Sequence, residues 1–161
     1  MIEQRGVKMH SRIFQLCGRE NFEVGNLDEN YIELSSIHPC ADYCVESEHS
    51  RDEDIEWLKG GKEFKDFIKK DEIGYHIELD DTFREHLHKV LREEMLTATK
   101  NTLAKLEADE EGLRSIEMFS GVDNDIRFYF ESVETIVEFE STIKYIEDCK
   151  LYFGSILDYH Y

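Results

Sequence analysis

The sequence predicts a single α+β domain: a mixed or mostly antiparallel sheet with one long helix and several shorter helices packed on it. Three observations carry this. Residues 73–79 alternate apolar and polar side chains with period two, as a half-buried strand does. Residues from 80 or 81 to about 108 hold apolar side chains near a 3.6-residue period for about seven turns. Strand-like and helix-like segments are interspersed without an internal repeat or a composition break, which favours one domain over several. A chain of 161 residues is long enough to bury about 70% of the surface its unfolded form exposes. With 40% hydrophobic residues and one proline, it is neither collagen-like nor low-complexity nor mostly disordered.

The first ten residues are polar and read as a flexible leader, with residues 11–161 forming the domain. Ser11 to Cys17 has apolar residues on both alternating faces, so a strand covered on both sides is expected. Residues 18–49 hold Gly18, Gly25, Asn26, Asn30 and Pro39 between short apolar pieces and predict loops with one short helix. Ser50 followed by Glu53 is a capping box, which starts a helix carrying Ile55, Trp57 and Leu58 and ending at Gly60-Gly61. Phe64, Phe67 and Ile68, at spacings of three and four, suggest a second short helix.

The strand at 73–79 directs Ile73, Tyr75, Ile77 and Leu79 to one face and His76 and Glu78 to the other. The long helix follows, with Asp80 and Asp81 at its positive end and a possible shifted capping box in Thr82 and Glu85. Its stripe comprises Phe83, Leu87, Val90, Leu91, Met95, Ala98, Leu103 and Leu106. Arg114–Phe119, a turn at 121–125 and Ile126–Glu131 read as a hairpin with Ile126, Phe128 and Phe130 inward. Ser132 then caps a helix to about Asp148 with Ile136, Phe139, Ile143 and Ile146 buried. Lys150–Tyr161 closes the domain as a strand with a bulge at Gly154.

Charge narrows the function classes. Thirty-seven acidic against 19 basic residues give −18, a surface that repels nucleic acid and anionic membrane alike. No apolar run approaches the ~20 residues needed to cross a bilayer, no secretory signal opens the chain, and the four cysteines then read as reduced thiols in the cytoplasm. Phosphate-loop, dinucleotide-binding and nucleophile-elbow motifs are missing, which leaves no reaction to assign and favours a binding protein over an enzyme. His76 and Glu78 share a strand face as an acid–base pair would, but polar residues on an outer face need no function. His86 and His88 sit about 200° apart on the long helix and cannot share one metal ion.

Residues 111–161 hold 11 acidic and only 4 basic residues, so a one-sided negative field is expected there. Glu131, Glu134, Glu138, Glu140, Glu147 and Asp148, with Asp158, Tyr145 and Tyr161, form the candidate partner-binding surface. Ordered carboxylates meet a groove of Arg and Lys as duplex phosphates do. The expected partner is therefore a basic protein, in the sharpest version one that handles nucleic acid and is blocked by a mimic of it, in the manner of antirestriction and anti-CRISPR proteins. Tyr152 and Tyr159 are expected to be buried in the closing strand. The competing reading is a zinc site or small metalloenzyme built on His38, Cys40, Cys44 and His49, since zinc takes thiolate and imidazole together. Against it, the C-x₃-C pair and its flanking histidines reproduce no finger or ribbon spacing. Otherwise no cofactor is implied.

Overall fold

A computed structural model describes residues 10–22, 27, 28, 30, 32–34, 43–107, 126–130 and 132–160. The elements run β1 (His10–Cys17), a 3-10 turn (Arg19–Asn21), β2 (Tyr43–Glu46), α1 (Arg51–Lys59), β3 (Ile68–Lys70) and β4 (Tyr75–Leu79). They continue with α2 (Asp81–Glu107), β5 (Ile126–Tyr129), β6 (Val133–Thr135), α3 (Ile136–Ile143) and β7 (Cys149–His160). Seven strands form one mixed sheet in the order β3-β4-β7-β1-β5-β6, with β2 also paired to β7. The fold is α+β, and the single parallel pairing among the described strands joins β1 to β5.

The twelve-residue β7 organises the sheet. Its first four residues pair with β4 and its last four with β2, so β4 and β2 lie end to end along one side while β1 runs antiparallel along the other. The expected bulge is present: Phe14 faces Ile156 but Leu16 faces Phe153, so Gln15 alone opposes Gly154 and Ser155. The extra residue reverses the alternation of β7. Leu151, Phe153 and Ile156 all reach the main core, whereas Leu157 and Tyr159 enter a smaller core on the opposite face.

The main core lies between the sheet and the helices, which contribute Ile55 and Leu58 from α1, Phe83, Leu87 and Leu91 from α2, and Ile136, Phe139 and Ile143 from α3. Each such side chain contributes about 1.5–3 kcal/mol when fully buried. The smaller core gathers Ile13, Leu27, Ile32, Cys44, Leu157 and Tyr159. β1 is therefore covered on both faces, with Phe14 and Leu16 toward one core and Ile13 toward the other. Tyr152 and Tyr159 are buried.

The capping box of α1 forms as its sequence requires: the Glu53 N–H donates to Ser50 Oγ and the Ser50 N–H to Glu53 Oε2. α2 starts differently, with Asp80 Oδ1 accepting the Phe83 N–H at 2.9 Å. The expected strand at 114–119, the first arm of the hairpin, lies outside the described residues, within which β5 pairs with β6. Three expectations need correction. Residues 62–67 form turns rather than a second short helix, although Phe64 still fills the core. Ser132 precedes a strand; the cap of α3 is Thr135, whose box with Glu138 sets a shorter helix ending at Ile143. Finally, the buried stripe of α2 ends at Leu91, and Met95, Leu96 and Leu103 are exposed because no described element lies over that half of the helix.

Candidate functional site

A cavity of about 720 Å³ opens beside the turn before β4 and is lined by Arg19, Glu72, Cys149, Lys150 and Tyr152 around Asp71. One Asp71 oxygen accepts the backbone N–H groups of Ile73 at 3.0 Å and Gly74 at 3.3 Å. The other accepts from Lys150 Nζ at 2.8 Å and from the Tyr152 hydroxyl at 3.1 Å. His76 Nδ1 stands 3.6 Å from it, and the His76 ring packs on that of Tyr152. His76 is thus buried, contrary to the outer-face position its alternation implies; its partner is Asp71, and Glu78 pairs with Lys69 instead.

This web is a poor catalyst. The Lys150 ammonium and the backbone donors hold the Asp71 carboxyl far below the usual range, leaving a weak base with its lone pairs in use. Partial burial pushes the Cys149 thiol up, so the thiolate that nucleophilic chemistry needs is scarce at neutral pH. The Asp71 cluster ties the turn at 71–74 to the start of β7.

The acidic set of the last third does not converge on one spot. Glu134 accepts from the Thr142 hydroxyl at 3.0 Å, and Glu138 closes the cap of α3. Glu140 is buried, 2.8 Å from Lys144 and 2.9 Å from His88; burial alone would raise its carboxyl, but those two partners outweigh it and hold it below its ordinary value. Asp148 pairs with Arg84 at 2.6 Å. Glu147 is exposed, and Tyr145, in the turn after α3, is 90% exposed. Glu131 and Tyr161 lie outside the described residues.

Asp158 belongs elsewhere, in a cavity of about 350 Å³ lined with Arg12, Glu48, His49 and Trp57. Here the helix-facing side of the sheet passes from apolar to charged: Phe14 and Ile156 are succeeded along their strands by Arg12 and Asp158, which lie directly opposite each other. α1 supplies the wall. Its Trp57 stacks near Phe14 and takes the Arg12 guanidinium over its ring at 4.3 Å. Arg12 Nε also meets Asp54 Oδ1 at 2.7 Å, and Asp54 is only 1% exposed. Sequence reasoning flagged Asp158 and His49 for other reasons and missed Arg12, Asp54 and Trp57; the one available signal was that Trp57 is the sole tryptophan.

Of the proposed zinc ligands, Cys44 is packed in the smaller core as a small apolar side chain, and His49 is exposed at the 350 Å³ cavity. His38 and Cys40 lie outside the described residues. Among the described residues, no group of three His, Cys, Asp or Glu side chains is placed to hold a metal ion, and no helix is long and apolar enough to cross a membrane. No family model, curated protein or solved structure matches this chain, so what its sites do rests on their own chemistry.

Proposed function

We propose that the protein is an acidic binding module that acts through contact with a basic protein, in its sharpest form a nucleic-acid-handling protein whose Arg- and Lys-lined groove it occupies. The observation that carries this is Tyr145, a large aromatic side chain 90% exposed beside exposed Glu147 and Asp148, on a chain of net charge −18. A tyrosine in water is costly to leave uncovered and effective when covered, because it buries much area with few rotatable bonds and keeps a polar tip. Carboxylates around it steer a cationic partner and lose that influence in high salt.

The reading is tested by capturing partners from source-cell lysate on immobilised protein at about 50 mM and about 500 mM salt, side by side with Y145A and E147Q. A basic nucleic-acid-binding protein that is retained at low salt, displaced by added DNA and lost on Y145A supports it. A partner retained equally by Y145A and E147Q, or no salt-sensitive partner at all, overturns it.

A further inference from the structure

We propose that the protein forms a dimer in which the second half of α2 packs antiparallel against the same half-helix of a second copy. This surface is separate from Tyr145, and the inference stands or falls independently of the reading built there.

α2 runs for 27 residues, about 40 Å, but the core reaches only its first half, through Phe83, Leu87 and Leu91. Beyond that point Met95 is 42%, Leu96 50% and Leu103 53% exposed, three of the six large hydrophobic side chains that stand exposed among the described residues. Leu96, Thr99, Leu103 and half-buried Leu106 recur at intervals of three, four and three, the spacing that forms the seam of a helix pair. The anchored first half presents the second as a preformed helix, so docking has little new backbone to order.

Charge identifies the occupant as a second copy. On a chain of net charge −18, residues 89–107 carry Lys89, Arg92, Lys100 and Lys105 against Glu93, Glu94 and Glu107, so two copies of this acidic protein meet here without local like-charge repulsion. Lys89, Glu93, Lys100 and Glu107 fall within about 40° of one another around the helix, beside the seam. All four are exposed, and none has a side-chain partner among the described residues. Their signs along the chain read plus, minus, plus, minus. A copy running the other way reads minus, plus, minus, plus, which sets Lys89 against Glu107 and Glu93 against Lys100, twice each in a twofold pair. A parallel copy would bring His88, Met95 and Thr102 to this flank and leave the four charges unmatched. The antiparallel register also lays Leu103 on the methylene stem of Arg92 from the other copy. Helices overlapping for about 27 Å make a small contact, below about 1,200 Å² in total, so the dimer is expected to be weak and reversible.

Sedimentation equilibrium of the full chain from about 5 to about 500 µM reads the mass directly, because self-association follows protomer concentration. The expected result is a weight-average mass that rises from 19.1 kDa toward twice that value, with L96E/L103E monomeric throughout. K100E sets a second carboxylate against Glu93 in both halves of the pair and is expected to weaken association about fivefold or more. E93K/K100E exchanges the two signs and keeps the pairing complementary, so it is expected to return association to within about twofold of wild type. Circular dichroism and urea unfolding of each variant show that the monomer is intact; should L96E/L103E unfold, K100E and its rescue carry the test on their own. A mass of 19.1 kDa at every concentration overturns the dimer. In that event a lowered stability of L96E/L103E assigns the face to a contact within the same chain, and an unchanged stability assigns it to a foreign partner. Dimers undiminished in folded L96E/L103E, or a double charge variant no better than K100E, likewise overturn the antiparallel pairing.

Discussion

The side-chain oxygen of Gln15 occupies the space beside Gly154 so fully that a Cβ at position 154 would lie 2.5 Å from it. That oxygen accepts the Ser155 N–H at 2.9 Å and the Leu27 N–H at 3.2 Å, bonding the bulge of β7 and the segment over the smaller core to β1 at one point. The glycine is thus there for close approach, and the amide substitutes for the ladder bonds that a bulge leaves unmade.

Gly154→Ala is expected to destabilise the fold by about 1–3 kcal/mol, because the amide must move or the strand must shift. Gln15→Ala is expected to cost a similar amount by leaving the two N–H groups without their acceptor. The double variant should cost clearly less than the two singles added, since each change removes what the other disturbs. Urea unfolding of all four proteins gives the coupling, and strict additivity would mean that Gln15 and Gly154 do not constrain each other.

Asp54 and Arg12 supply a second test. Asp54→Ala leaves a largely buried guanidinium without its carboxylate and is expected to cost about 3–5 kcal/mol. Replacing both partners together, R12M/D54L, should recover most of that loss, because neither charge then has to be desolvated. Circular dichroism during urea unfolding reads both; a double variant as unstable as D54A would locate the cost in packing against Trp57 rather than in charge.

These two sites also show what the sequence can and cannot announce. The Ser50–Glu53 box lies within four residues, so the start of α1 was legible from local chemistry alone, and Gly154 was legible as a bulge because glycine in an otherwise apolar strand has few other reasons. Thr135 was legible by the same box rule, since Glu138 stands three residues after it whereas the third residue after Ser132 is a threonine, and the pairing of β6 with β5 agrees by placing residues 133–135 in a strand. His76 read as an outer-face residue because the cover over it comes from Tyr152, far along the chain. The cavity at Trp57 joins positions 12, 48, 57 and 158, and no spacing rule links residues that tertiary pairing alone brings together.

Acid should expose the Asp71 cluster. An aspartate titrates near 3.9 when unfolded, and Lys150 with the backbone donors holds it far lower in the fold. The stabilisation is therefore complete above that unfolded value and is lost as pH falls below it, because the unfolded chain then takes up a proton that the folded site refuses. Glu140, Glu78, Glu53 and Asp52, also lowered, act in the same direction. Asp71→Asn is expected to lower the melting temperature at pH 7 and to flatten its decline between about pH 5 and pH 3. A variant curve parallel to the wild type across that range would remove Asp71 from the acid response.

Glu63 should behave in the opposite sense. It is nearly buried, and that burial pushes its carboxyl up, with the neighbouring Glu94 carboxylate adding to the shift. Below about pH 4.3, where an unfolded glutamate is protonated, the folded site is protonated too and the burial carries no charge penalty. As pH rises from there, the native state holds a proton that the unfolded chain has released, so this group subtracts more stability the further the pH climbs, until it has passed the folded value. Glu63→Gln removes the titration, and its melting temperature relative to wild type is expected to increase from pH 4 to pH 7. Glu94→Gln tests the cause: burial is the larger contributor, so relieving only the like charge should give a smaller increase in the same direction. If E94Q matches E63Q, repulsion between the two carboxylates, rather than loss of water around Glu63, is what holds the proton on.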